Sequence, residues 1–201
     1  MQRTVSEKFI TNTENLFKKI PLSLIPYFYF YPIMDALDAV LTKMEVREFA
    51  AEDVPYDVQK KVLEAGRMAA SAYNKQPWIF ILINDKDLLK KVAALATTGP
   101  YISKAAFAVA VFVDPNNPFH IIDGTRAVQN MMIAAWSFGL GSVWVGGLER
   151  EKIAELLKVP KNLYLLTVIP FGKPAKKLKG KKTRKPLKEI AYLNFYGNEL
   201  K

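Results

Sequence analysis

Cysteine is absent from the 201 residues and histidine occurs once, as His120. The first absence removes disulfides, thiolate metal sites and cysteine nucleophiles. The second removes any multi-histidine metal site and leaves no histidine to spare beyond a single catalytic triad. His120, beside Pro118 and Phe119, reads as a loop residue without a chemical role. Nothing demands an oxidising compartment, so cytoplasm is the default. Long apolar runs are lacking too. The stretch 20–33, IPLSLIPYFYFYPI, is fourteen residues long and interrupted by Pro21, Pro26 and Pro32, too short and too broken to span a bilayer. Glu7 and Glu14 upstream of it suit a signal peptide poorly. Residues 1–33 are therefore expected to be an N-terminal arm peripheral to the domain, its aromatics on a partner subunit, or to precede a true start at Met34.

What is plentiful is positive charge: 29 Lys and Arg against 19 Asp and Glu, a formal +10. Such an excess invites a nucleic-acid reading, because clustered cations release counterions from phosphates. Its distribution argues otherwise. From Lys173 to Lys188 the chain carries nine Lys or Arg and no acid, whereas elsewhere the signs are mixed. A local anion site accounts for that better than a nucleic-acid face.

From Met34 onward helical and extended patterns alternate without repeats or a linker, as in a single mixed domain. Helices are predicted over 34–43, 58–70, 88–96, 123–138 and 149–157. The fourth, with Asp123 as N-cap and Gly139 as stop, is apolar on every face and reads as buried. Short continuous apolar runs at 78–83, 107–113, 142–145 and 163–169 predict buried strands; on pattern alone they suggest a parallel sheet. Two phosphate-binding patterns fail. GLGSVWVGG at Gly139 puts Trp144 where a dinucleotide fingerprint needs its third glycine, and it precedes a strand instead of following one. GKKT at Gly180 lacks the upstream glycine of a P-loop, which falls at Ala175. Side chains alone thus offer little chemistry, which makes a borrowed cofactor attractive.

Four separated pieces carry more: KMEVREF from Lys43, SAYNKQPWIF from Ser71, GLGSVWVGG from Gly139 and KTRKPLKEI from Lys182. In that order they resemble the nitroreductase family's opening RRSxRxF, its hallmark PSxxNxQPWxF, its glycine-containing turn beside the flavin ring, and its C-terminal basic motif followed by PLEE. The resemblance covers residues 34–197. It implies an α+β fold, a nitroreductase-like three-layer α/β/α sandwich with a mixed, mainly antiparallel central sheet. Residues 34–201 would be one FMN-binding domain whose C-terminal segment, IAYLNFYGN, wraps a partner.

The resemblance also implies a cofactor site. Lys43, Met44, Glu45 and Arg47 from the opening motif, with Lys182 and Arg184 from the last, match positions that contact the FMN phosphate and ribityl chain. A phosphate of charge near −2 needs several charge-assisted donors, and an Arg fork suits it bidentately. Lys176, Lys177, Lys179 and Lys181, off the motif, read as solvated surface. Ser71 and Asn74 would reach the flavin of the other subunit, making each site a product of a homodimer. Gln76 reads as structural, Trp78 as core, and Gln129 and Asn130 as structural polar residues with satisfied bonds. Gly146 and Gly147 either allow close approach of a flat ligand, with a backbone N–H near Gly146 at flavin N5, or end a strand in an ordinary turn. The sequence departs from the pattern at Met44 in place of Arg, Glu45 in place of Ser and Ala70 in place of Pro. Some branches, including those resembling dimethylbenzimidazole synthase, carry Asp where Glu45 stands.

The implied activity is ping-pong hydride transfer from NADH or NADPH through flavin N5 to an electron-poor small molecule such as a nitroaromatic or quinone. No catalytic side chain, metal, nucleic acid or membrane span is expected. The alternatives are a flavin-degrading enzyme of the dimethylbenzimidazole synthase type, against which Asn74 argues, and a flavin-binding module without turnover.

Overall fold

A computed structural model of the chain describes residues 34–178 and 182–200; the expectations for residues 1–33, Lys179 and Lys181 lie outside the described residues. Helix α1 spans Ala36–Thr42 and opens on Asp35, whose carboxylate accepts the Leu37 N–H at 2.8 Å. Such a cap satisfies one of the donors a helix N-terminus leaves unpaired. Helix α2 follows at Tyr56–Arg67, started by Pro55, then β1 at Trp78–Ile83 and α3 at Lys86–Ala94, capped by Asp85 onto Leu88 N–H. Strand β2 is Phe107–Val113, helix α4 His120–Ser137, β3 the short pair Gly141–Ser142, α5 Arg150–Leu156 and β4 Tyr164–Gly172. The two central strands are those the apolar runs predict, and β1 and β2 match the predicted ranges residue for residue.

The sheet order is β1-β2-β4-β3 with every strand pair antiparallel. This overturns the parallel pattern suggested by strand composition. Continuous apolar strands signal burial on both faces, and here helices cover both faces of an antiparallel sheet. The alternation of β2 shows the two sides. Phe107, Val109, Val111 and Val113 pack with α2 and α4, while Ala108, Ala110 and Phe112 pack with α3 and α5. Phe107 stacks on Phe171 across β2 and β4 with ring centroids 5.0 Å apart, a contact worth about 0.5–1.5 kcal/mol beyond its buried area. A bulge between Val111 and Phe112 shifts the β2–β4 register. The alternation along β4 reverses there, so that Leu166 shares a layer with Ile169, and Leu165 shares the other with Val168.

Helix α4 differs from its prediction in two ways. It starts three residues earlier, behind Phe119, so Asp123 is not its N-cap; it lies inside the first turns, fully buried. Nor is the helix buried all round. Ala127, Val128, Met131, Met132 and Ala135 face the core, but Ile122, Arg126, Gln129 and Asn130 are exposed, although the Asn130 amide does donate to Ala65 O at 3.2 Å. Its C-terminal end is tied to α1, with the Trp136 indole N–H donating to the Thr42 hydroxyl at 2.9 Å. His120 opens the helix, its Nδ1 2.6 Å from Asn117 O. Trp78 is buried as expected.

Candidate functional site

The segment after α1 runs beside the short edge strand β3. Val46 N–H donates to Ser142 O at 3.0 Å, and Glu45 and Ser142 form the parallel bridge that makes the pairing around the sheet mixed. The approach is close because residue 141 is glycine: a Cβ there would sit 2.4 Å from Val46 Cγ2. The same segment then meets the beginning of the basic run. Ala50 N–H donates to Lys173 O and Ala175 N–H to Glu48 O, both at 2.9 Å. Phe49 bridges Pro174, Lys173 pairs with Glu52, and Lys176 with Glu48 at 2.8 Å. Lys176 and Lys177 are both exposed, as expected of solvated surface, and Lys176 adds a surface ion pair.

Farther along, the Lys182 ammonium donates to Val40 O, in α1, at 2.6 Å. Opposite ends of the domain converge through that bond. Lys43 is 7 % exposed and pairs with the half-exposed carboxylate of Glu45. Burial holds the Lys182 ammonium below its usual pKa, and repulsion from Arg184 and then Lys43 adds to the effect, with Glu45 opposing it. The Lys182 ammonium therefore lies in the field of two further cations and one carboxylate. Like charges held together favour an added anion. The Ser142 hydroxyl is fully buried and finds no partner among the described residues, on the backbone that bridges Glu45.

Two clefts open from this segment and share Arg47 and Glu48. One, of about 270 Å³, is lined also by Glu45, Lys176 and Leu178. The other, of about 470 Å³, reaches Phe49, Pro100, Tyr101 and Lys104. The glycine pair lines neither cleft; the Gly147 N–H donates to the Thr98 hydroxyl at 2.9 Å. The two glycines differ. A Cβ on Gly147 would lie 2.5 Å from Thr97 Oγ1, whereas one on Gly146 would meet nothing within 4 Å. Gly147 is thus required by packing against the protein, and Gly146 presents bare backbone to open space. Behind the pair, the Arg150 guanidinium donates to Gly146 O at 3.2 Å and Leu165 O at 3.0 Å and lies over the Tyr164 ring.

The 71–76 turn is built differently. Tyr73, Asn74 and Gln76 all adopt left-handed backbone, with φ of 53°, 55° and 47°. Non-glycine residues held there store roughly 1–3 kcal/mol each and persist only where their surroundings enforce them. Ser71 Oγ accepts the Gln76 N–H at 2.9 Å, the Gln76 amide reaches Asn74 at 3.2 Å, and Ala72 N–H donates to Asp123 Oδ2 at 3.1 Å. Gln76 is structural, as expected. Ser71 and Asn74 line neither cleft, so one chain brings together the opening motif, the basic motif and the glycine turn, but not these two residues. Met44 is half-buried and lines neither cleft.

Asp123, Thr98 and Arg150 support these elements and were not identified from sequence. Their partners lie 51, 49 and 15 residues away, and no local pattern marks such pairs. Asp123→Ala removes a buried acceptor from a strained turn and leaves the Ala72 N–H without it. A loss of roughly 1–3 kcal/mol in denaturant unfolding is expected. Asp123→Asn, which keeps an acceptor, should lose less. Equal stability of the parent and Asp123→Ala would show that the turn does not lean on this carboxylate.

Comparison with known proteins gives a consistent picture. A sequence model described as the nitroreductase family matches residues 42–118 and 115–173. An Archaeoglobus fulgidus protein provisionally named NADH dehydrogenase/NAD(P)H nitroreductase is 32% identical over 149 residues, covering 70% of this chain and 86% of that protein. The FMN reductase (NADPH) of Bacillus subtilis is 24% identical over 186 residues, 81% of this chain and 74% of the relative. A crystal structure of a Bacteroides thetaiotaomicron protein, with the same provisional name as the archaeal one, superposes with a TM-score of 0.73 at 30% identity, covering 80% of this chain and 98% of the other.

Proposed function

The chain belongs to the nitroreductase family, and from that premise we propose that it is an NAD(P)H-dependent oxidoreductase that carries FMN and reduces an electron-poor acceptor such as a nitroaromatic or quinone. The observation that carries the cofactor assignment is the convergence of Lys43, Lys182 and Arg184 from the two ends of the domain. Three crowded cations, an orphaned buried hydroxyl at Ser142 and a bare glycine facing open space fit a flat ligand with an anionic tail. In this reading Lys43, Lys182 and Arg184 take the phosphate, and Arg47, shared by both clefts, takes the ribityl chain or ring edge. When bound, the flavin ring supplies the hydride-accepting and hydride-donating atom that the side chains of this chain lack.

The protein's own contribution is placement. Gly147 spends its N–H on Thr98, so the neighbouring Gly146 backbone is the better candidate to face flavin N5. Arg150 holds the Gly146 carbonyl from behind and keeps that turn from shifting as charge in the site changes. A single slot over the ring would serve nicotinamide and acceptor in turn, which is the ping-pong order.

Ser71 and Asn74 complete the site only from a second copy, so the reading includes a homodimer. Exposed apolar side chains are available for it: Leu37, Val40 and Leu41 on α1, and Ile190, Phe195 and Tyr196 in the C-terminal segment. Among the described residues no helix is long and apolar enough to cross a membrane.

One preparation tests the reading. The purified protein should be yellow, or take up FMN when offered it, and anaerobic NADH or NADPH should bleach its flavin absorbance. Colour that persists with either nicotinamide would mean a flavin-holding module without this turnover. Absence of colour even with excess FMN would remove the cofactor assignment. Dilution to monomers should release flavin, and a monomer that keeps full affinity would contradict the shared site.

A further inference from the structure

Glu45 stands where the family pattern has serine, and its carboxylate is the ion-pair partner of Lys43. The pair is asymmetric. Lys43 is 7 % exposed, while the Glu45 side chain is 47 % exposed, so the acid has a route to water and the ammonium has none. Lys182 lies near the same pair, repelled by Lys43 and by Arg184, and Glu45 is the carboxylate that opposes that repulsion. A buried ammonium stripped of its counter-ion is strongly unfavourable, so the acid leaves only when another anion takes over.

We propose that Glu45 is a resident counter-ion of the phosphate-binding end of the site, which holds Lys43 in the ligand-free protein and is exchanged for the phosphate of the incoming flavin. The idea rests on the FMN reading above and adds a specificity device to it. A flavin without phosphate supplies no replacement anion, so it leaves the Lys43–Glu45 pair in place and gains nothing from the cations. A phosphorylated flavin gains them only after displacing the acid. Glu45 therefore weakens FMN binding and protects the empty site, two effects of opposite sign that one substitution separates.

The test uses FMN and riboflavin, which differ by the phosphate alone, with the full chain and its Glu45→Ser and Glu45→Gln variants, read by flavin fluorescence and thermal unfolding. Both variants should bind FMN about tenfold more tightly or better, the size of a charge-assisted contact regained, with riboflavin affinity unchanged. Without ligand they should melt below the parent, and saturating FMN should abolish the difference. An unchanged ratio of FMN to riboflavin affinity in both variants would overturn the exchange while leaving the flavin site intact. Lower FMN affinity with a melting deficit that FMN does not repair would make Glu45 a plain structural residue, which also overturns it. Failure of the parent to bind either flavin would remove the reading on which the proposal rests.

Discussion

An Arg184→Ala chain is expected to hold FMN roughly 10–100-fold more weakly than the parent, the equivalent of one or two lost charge-assisted hydrogen bonds to phosphate. Lys177→Ala, five residues before Lys182 and equally basic, should leave the affinity unchanged. The contrast follows from position and not from composition. Lys177 is exposed, whereas Arg184 lies close enough to Lys182 to push its ammonium pKa down, second only to burial. Arg184 itself is exposed and, among the described residues, its guanidinium donates to the neighbouring Thr183 O at 2.8 Å, so removing it should leave the melting temperature of the ligand-free protein nearly unchanged. Affinity measured by fluorescence titration in low and high salt decides the matter. Equal loss in both variants would reduce the site to a diffuse basic surface, since screened surface charge acts without regard to motif. Equal retention would take Arg184 out of the phosphate site.

The second large effect concerns glycines that differ in what surrounds them. Gly141→Ala should destabilise the fold by about 1–3 kcal/mol, the range for overfilling a packed site. Its new methyl would fall between 2.4 and 2.7 Å from three Val46 atoms, and Val46 is 2 % exposed with no room to retreat. Relief requires the 43–49 segment to move off β3, which would also displace Glu45 and Arg47, so FMN affinity should fall together with stability. Gly146→Ala should do the opposite, with an unchanged melting temperature because its methyl meets nothing within 4 Å, and impaired flavin binding if a flat ring lies against that backbone. A Gly141→Ala protein with parental stability would mean that the segment and the edge strand give way easily. A Gly146→Ala protein with parental flavin affinity would assign that open face to something other than the cofactor.

Much of the site was legible because its residues sit in short motifs. Lys43, Arg47, Lys182 and Arg184 stand at fixed places in two such pieces, and the structure brings Lys43, Lys182 and Arg184 into one electrostatic cluster with Arg47 on the adjoining clefts. The glycine pair was seen as ambiguous, and resolving it took neighbours from elsewhere in the chain: Thr97 and Thr98 explain Gly147, while Gly146 has none. Asp123 shows the opposite error. A polar residue ahead of an apolar helix suggests a cap, yet the helix begins three residues before it and the carboxylate serves a turn 51 residues away.

The amino-acid order by itself determined most of the elements and the burial of the central strands, because β-branched and aromatic runs and helical spacing act through neighbours along the chain; it misjudged the start and the exposed face of α4. It also determined the lack of thiol chemistry, since composition needs no fold to be read. Strand direction was decided only in three dimensions: an apolar strand buried on both faces looks the same whether its neighbours run with it or against it. The pairing of Lys43 with Glu45, the return of Lys182 to α1 and the bracing of the 71–76 turn were likewise tertiary outcomes. Each joins groups whose meeting depends on how distant segments pack, which local periodicity does not encode.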